Sequence, residues 1–138
     1  MKVKIVFNAK FKKIKPKLFV GSENNSFNVE LEKQTVFEEE FDLVPNDTLL
    51  IEFLNKCGVE DNIVFIKSIE IDGINLQHYI YDGTFFPQYD QDWLQKQTVT
   101  PPNFYKPCTE LRVKGKWKLG ITTPIWKMIM EKWLHDDR

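Results

Sequence analysis

Short runs of alternating apolar and polar residues dominate the first half of the chain. The clearest runs lie at residues 2–7, 27–31 and 50–54, and residues that favour turns bound each of them. An apolar side chain at every second position buries one face of a strand and leaves the other face in solvent. We therefore predict a strand at each of these three places.

Residues 63–71 begin as a continuous apolar run and then alternate, which predicts a fourth strand. The pairs Asp72-Gly73 and Asp82-Gly83 follow it. Both pairs predict turns, because glycine adopts a positive φ without strain and aspartate can bond to nearby backbone. Short strands and turns at regular spacing favour a sandwich or barrel over alternating β and α units.

The second half of the chain is organised differently. Residues 84–109 hold four of the seven prolines without clean periodicity, and predict a long aromatic-rich loop that a short helix over 89–97 would shorten. Residues 110–119 alternate again and predict a strand, or a hairpin bent at Gly115. From Thr123 to Trp133, a cap, a first-turn proline and apolar residues at four-residue spacing predict a helix.

Together these elements predict a mainly β protein. We expect a jelly-roll-like antiparallel β-sandwich with a long aromatic-rich loop and one C-terminal α-helix, forming a single domain over residues 1–138.

Charge is nearly balanced in total but not along the chain. Nineteen Lys and Arg against twenty Asp and Glu give a net charge of −1, which disfavours binding to a phosphate backbone and predicts no nucleic-acid partner. Residues 1–17 hold lysines and no acid, whereas residues 23–61 are rich in acids. We expect the two stretches to form neighbouring strands with Lys–Glu pairs. The alternative is a basic edge that binds an anionic partner.

Apolar runs and cysteines exclude several protein classes. No run approaches the length of a membrane span, and the apolar stretch near the N-terminus covers only residues 5–7, so we expect no membrane partner and cytoplasmic synthesis without a signal peptide. Cys57 and Cys108 belong to no CxxC pair, which argues against a zinc site or a disulfide framework. We expect two reduced, buried thiols, with a single bridge between them as the alternative.

Nucleophilic catalysis has little support in the sequence. The only histidines are His78 and His135, and no serine or cysteine lies in a nucleophile motif. Asp82, Asp90 and Asp92 could supply the acid and base of a glycan-cleaving enzyme, a third class of function that we retain. We predict that the protein is not an enzyme.

Residues 79–105 hold a cluster of aromatic side chains: Tyr79, Tyr81, Phe85, Phe86, Tyr89, Trp93, Phe104 and Tyr105. Acids and glutamines lie between them, and such mixed surfaces suit sugars, whose C–H faces stack on rings and whose hydroxyls need polar partners. We expect Tyr89 and Trp93 to stack on the ligand and Asp90 and Asp92 to accept its hydroxyls. Three rings are expected to anchor the loop on the core: Phe85, Phe86 and Phe104.

The stretch over residues 49–76 resembles small jelly-roll carbohydrate-binding modules of the calcium-dependent, xylan-binding type. The likeness rests on a strand ending near Asn55, an acidic loop at residues 60–62 and a strand ending in Asp72-Gly73. It implies a polysaccharide ligand and, in many members, a bound calcium ion. The calcium candidates are Asp61, Asn62 and Asp72, whose oxygen atoms are of the type that calcium selects.

A second resemblance covers more of the chain. Residues 81–93 and 116–126 are similar to small uncharacterised proteins of marine tailed phages. This likeness implies synthesis in a bacterial cytoplasm, assembly into a virion and contact with host glycans, but no activity.

The sequence thus favours a non-enzymatic binding module whose ligand is a polysaccharide or other glycan. The alternative is a structural or assembly protein that uses its aromatic region against a protein partner or a second copy of itself in a homo-oligomer.

Overall fold

A computed structural model of the protein describes residues 1–54, 62–89 and 91–122, together with Lys127 and Met130. In chain order, the strands are β1 (Lys2–Lys10), β2 (Lys17–Gly21), β3 (Ser26–Glu30), β4 (Gln34–Glu40), β5 (Asp47–Phe53), β6 (Ile63–Ile71), β7 (Ile74–Asn75), β8 (Thr84–Pro87), β9 (Glu110–Leu111) and β10 (Gly115–Ile121). A 3-10 helix (Gln77–Asp82) precedes β8, and a short α-helix, α1 (Gln91–Gln95), follows it.

The strands form two antiparallel sheets that enclose one core. In the first sheet the order is β4-β1-β6, with β7 and β9 paired along the remaining edge of β6. In the second sheet the order is β3-β2-β5-β10-β8. The chain passes repeatedly from one sheet to the other, as in a jelly roll. The predicted antiparallel β-sandwich is confirmed.

Period-two alternation builds the core. In β1, β5 and β10 every second residue is buried, so each strand contributes one apolar row to the interior. The largest of the fully buried side chains come from both sheets: Trp117, Phe7, Phe53, Ile5, Leu18, Leu49, Ile51 and Ile69. The strands predicted at 2–7, 27–31, 50–54 and 63–71 are all present.

The strand predicted over residues 110–119 is divided between the sheets. Its first part is β9, which pairs with β6 in the first sheet, and its second part is β10 in the second sheet. Because the two parts never pair with each other, the alternative of a hairpin bent at Gly115 is wrong. The chain crosses from sheet to sheet at residues 112–114.

The predicted pairing of basic and acidic stretches is confirmed at the end of the first sheet. Strand β1 lies beside β4, with Lys2 opposite Glu40 and Lys4 opposite Glu38. The Lys2 ammonium lies 3.2 Å from the Glu38 carboxylate. Exposed pairs of this kind stabilise the fold only slightly but favour one strand register.

The two Asp-Gly pairs have different roles. Asp72 and Gly73, with φ of 51° and 79°, form the predicted turn between β6 and β7. Gly83 has a φ of −64° and ends the 3-10 helix instead. Glycine is required there because a Cβ atom would overlap the ring of Trp117.

The predicted C-terminal helix lies almost entirely outside the described residues, of which Lys127 and Met130 are helical. Among the residues that the structure describes, no helix is long and apolar enough to cross a membrane.

Candidate ligand-binding site

The aromatic segment, residues 86–104, is closed at its base by a backbone pair between Phe85 and Tyr105, while its first two residues still belong to β8. Phe85 donates its N–H to the Tyr105 carbonyl at 3.0 Å, and Tyr105 donates back to the Phe85 carbonyl at 2.9 Å. Phe85 in turn pairs with Trp117 of β10. The predicted long loop is therefore confirmed in part, since it contains the end of β8 and the helix α1 within a closed neck.

Two further hydrogen bonds lie close to this neck. One holds the chain that follows Tyr105, and the other holds the start of the aromatic segment. The indole N–H of Trp117, a fully buried residue, donates to the Cys108 carbonyl at 2.8 Å. Gln88 donates its N–H to the Lys114 carbonyl at 2.7 Å. Buried indoles ordinarily find such a partner, and here the bond links the core to the wall of a cleft.

That cleft has a volume of ≈ 580 Å³ and lies where β9 of the first sheet approaches Tyr105 of the second. We call it the aromatic cleft and define it by the following lining residues: Phe85, Tyr89, Trp93, Tyr105, Glu110 and Arg112. Its size is that of a small-molecule site, with ring walls and a few polar groups.

The rings of Tyr89 and Trp93 are stacked, with centroids 5.2 Å apart and planes 21° apart. Trp93 is nevertheless 45% exposed. The Tyr89 hydroxyl lies 3.0 Å from the Tyr105 hydroxyl and donates to the Pro102 carbonyl at 3.1 Å. Burial, followed by the bond with Tyr105, raises the pKa of Tyr89 to about 12, so it is a neutral phenol at physiological pH.

A charged pair, Glu110 and Arg112, also lines the aromatic cleft. Arg112 donates from Nε and Nη2 to one Glu110 oxygen, at 3.2 and 3.0 Å. Both side chains are largely exposed. Because guanidinium carries five N–H donors and a carboxylate has several acceptor positions, each partner keeps hydrogen-bonding capacity for a ligand.

The structure brings together two of the four predicted ligand-binding residues, Tyr89 and Trp93. Asp92 is exposed in the first turn of α1 and is not among the described residues that line the cleft. Asp90 lies outside the described residues. We therefore assign no cleft contact to either aspartate.

Of the three predicted loop anchors, Phe85 alone is buried. Phe86 and Phe104 are 43% and 56% exposed, so their assignment to the core is wrong. Neighbouring strand residues point to opposite faces, and Phe85 takes the inward one. Phe86 lies outside, near Phe104 and 5.4 Å below the Lys118 ammonium.

The three calcium candidates do not form one site. Asn62 precedes β6 and Asp72 follows it, which separates them by roughly 30 Å of extended chain. Asn62 is buried and donates to the Ile14 carbonyl at 3.1 Å, while the Asp72 carboxylate accepts the Lys2 N–H at 2.7 Å. Asp61 lies outside the described residues. Within the described ranges, no three His, Cys, Asp or Glu residues gather as metal ligands.

Sequence reasoning missed the functional potential of Tyr105, Glu110 and Arg112. Tyr105 was visible as one aromatic of the cluster, but its partner Tyr89 comes from the other end of the segment, so the sequence did not link the two rings. Arg112 carried a usable signal. It is one of only two arginines in a chain rich in lysine.

Comparison with known proteins gives one informative result. No protein-family model matches the chain, and no curated protein sequence matches it. A solved carbohydrate-binding module, described as "vCBM60 in complex with galactobiose", is similar with a TM-score of 0.62 and 8% identity, over 87% of this chain and 98% of that one. At this identity the likeness shows a shared fold. The resemblance to phage proteins stays a prediction.

Proposed function

We propose that the protein is a non-catalytic glycan-binding module and that the aromatic cleft is its binding site. The observation that carries the proposal is the stacked Tyr89–Trp93 pair, half-open to solvent, in a cleft that a charged pair also lines. The similar solved module, whose description names galactobiose, supports a sugar as the ligand class.

In this proposal the open part of the Trp93 ring stacks on the C–H face of a sugar. The Tyr89 ring behind it and the hydroxyl pair with Tyr105 keep the indole in place, so little side-chain freedom is lost on binding. Aromatic side chains that are already ordered make efficient anchors for ligands.

Glu110 and Arg112 bind hydroxyl groups in this proposal. The carboxylate accepts from a hydroxyl, and the remaining guanidinium N–H groups donate to hydroxyl oxygens. This pair takes the role that the sequence assigned to Asp90 and Asp92. In this proposal the Glu110–Arg112 pair orients the sugar, and stacking on the Trp93 ring supplies most of the affinity.

The test is calorimetric titration with β- and α-linked galacto-oligosaccharides, chosen because the similar module was solved with galactobiose, followed by a broad glycan array. For the best ligand we expect Trp93→Ala to weaken binding at least tenfold, as for an anchor residue worth more than about 1.4 kcal/mol. Phe104→Ala is the matched control, because Phe104 is also a half-exposed aromatic of the segment but is not among the described residues that line the cleft.

Equal losses in Trp93→Ala and Phe104→Ala, or no loss in either, would reject the aromatic cleft as the site. Absence of binding across the array would reject the glycan ligand itself. In that event, the solution mass of the protein would be measured to test the assembly function.

A further inference from the structure

A second concave surface lies on the outer face of the first sheet. It has a volume of ≈ 540 Å³, and we call it the lysine groove after its lining residues: Asn8, Lys10, Lys33, Gln34, Phe65 and Lys67. The backbone N–H of Ala9 donates to the Lys33 carbonyl at 2.9 Å, which holds Lys33 beside β1.

The lysines of the groove form no salt bridge with another residue that the structure describes. Among the described residues, no salt bridge involves Lys10, Lys33 or Lys67. Lys10 and Lys67 both lie 5.8 Å from the centre of the Phe65 ring. Within the ranges that the structure describes, strand β1 therefore pairs Lys2 with an acid at one end and holds Lys10 without a salt bridge at the other.

A strand irregularity contributes to this arrangement. The register between β1 and β6 shifts between Val6 and Phe7, which leaves Lys67 as an extra residue opposite them. Such bulges turn a side chain away from its regular direction. Here Lys67 lies on the same face of the sheet as Phe65, two residues before it, and its ammonium lies over the Phe65 ring.

The groove also holds an acceptor without a donor. The side-chain carbonyl oxygen of Asn8 is closed to solvent and has no hydrogen-bond partner. Buried polar atoms are almost always hydrogen-bonded, and a ligand hydroxyl could supply the missing donor if the Asn8 side chain turned outward into the groove. A ligand that fits must offer an O–H or N–H donor as well as negative charge.

The groove and the aromatic cleft are joined by one row of side chains. Glu110 pairs with Phe65, Phe65 with Asn8, and Asn8 with Gln34, across β9, β6, β1 and β4. Directly paired residues of antiparallel strands share a face, and this row spans about 14 Å. Glu110 belongs to the cleft and the other three to the groove, so a linear ligand can run from one to the other.

We propose that the lysine groove binds the acid groups of an anionic polysaccharide whose chain continues from the aromatic cleft. The inference rests on the proposed function and narrows it to glycans that carry carboxylate or sulfate groups. A sugar hydroxyl supplies the donor for Asn8, and the acid group lies among the lysines. A phosphate backbone fits less well, because the chain has a net charge of −1 and the groove holds only three lysines.

The test compares three oligosaccharides of matched length: neutral galactan, oligogalacturonate and sulfated galactan. We expect at least one acidic ligand to bind ten or more times more tightly than the neutral one at low salt, with the ratio falling as salt rises. The acidic ligand that binds better identifies whether carboxylate or sulfate is preferred. A single-stranded oligonucleotide of equal charge that bound as tightly as the acidic sugars would overturn the proposal.

Variants separate the two surfaces. Lys33→Gln with Lys67→Gln is expected to bring the acidic ligand to within threefold of the neutral one and to leave neutral binding unchanged. Lys116→Gln with Lys118→Gln, an equal change of charge on the second sheet, is the control and is expected to preserve the ratio.

Each failure has its own signature. If neutral and acidic sugars bind equally to the parent protein, the lysine groove is overturned and the glycan-binding function stands. If acidic binding survives Trp93→Ala undiminished, the continuous chain between the two surfaces is overturned. If no glycan binds, both proposals fall.

Discussion

The interior of the sandwich and the aromatic segment use the same kind of residue in opposite ways. In the interior, Trp117 is fully buried and its one polar atom is satisfied. In the segment, Trp93 stacks on one neighbour and is 45% exposed. The comparison shows that aromatic content by itself does not reveal a binding surface, because the position of each ring relative to a sheet face decides its role.

The two regions also differ in what holds their backbones. Ladder hydrogen bonds along whole strands support the interior, whereas the segment is held mainly at its ends, by the backbone pair at its neck, by Phe86 and Pro87 beside β10 and by the Gln88–Lys114 hydrogen bond. A side chain of the interior therefore affects stability, and a side chain of the segment affects binding. Three measurements of stability test whether interior and segment side chains differ in this way.

The largest effect is expected for truncation of the buried tryptophan. Trp117→Ala removes a large core side chain and the hydrogen bond to Cys108, and should lower the free energy of unfolding by about 3–5 kcal/mol. Trp93→Ala, the matched change in the segment, should cost about 1 kcal/mol or less. Urea denaturation measures both. Similar losses in the two variants would contradict the division.

An intermediate effect is expected where the segment meets the core. In Gly83→Ala the new methyl group overlaps the Trp117 ring, and displacement of that ring should cost about 2–3 kcal/mol. Gly120→Ala is the control, because a Cβ atom there meets nothing within 4 Å. If thermal unfolding shifts equally in both variants, the overlap with Trp117 is not the cause of the loss.

The smallest effect concerns pH. The pKa of Tyr89 is raised to about 12 in the folded protein, so below pH 10 the phenol is neutral in both the folded and unfolded states and its contribution is fully present. Between about pH 10 and 12 only the unfolded state loses the proton, and stability must fall. The urea midpoint of the parent should therefore decrease more over this range than that of Tyr89→Phe. Identical slopes would show that Tyr89 ionises normally.

Most strands of the sandwich could be predicted from sequence, because a strand that buries one face carries an apolar residue at every second position. The prediction failed where that pattern is weak. Strand β4 ends in three glutamates and buries only Phe37, so it resembles a solvated stretch. The division of residues 110–119 was hidden because β9 and β10 keep the same alternation while they belong to different sheets.

The candidate site was predictable only in part, for a related reason. Tyr89 and Trp93 are only four residues apart, so the aromatic-rich composition of this stretch pointed to both of them. Tyr105, Glu110 and Arg112 reach the same cleft through the neck and through pairing of β9 with β6. Long-range pairing of this kind leaves no local signal. The metal set failed likewise, since Asn62 and Asp72 are close in sequence but lie at opposite ends of one strand.

The neck between Phe85 and Tyr105 has a consequence for how such a protein can change. The ends of the segment meet at this neck, and Phe86 and Pro87 still pair with β10, so the chain beyond them, residues 88–104, can be replaced by another loop of different length at a closure cost that grows only slowly with length. The strands that define the core would not have to shift. The segment is therefore an exchangeable cassette, and grafting it onto a related sandwich is a direct way to transfer or reprogramme ligand preference.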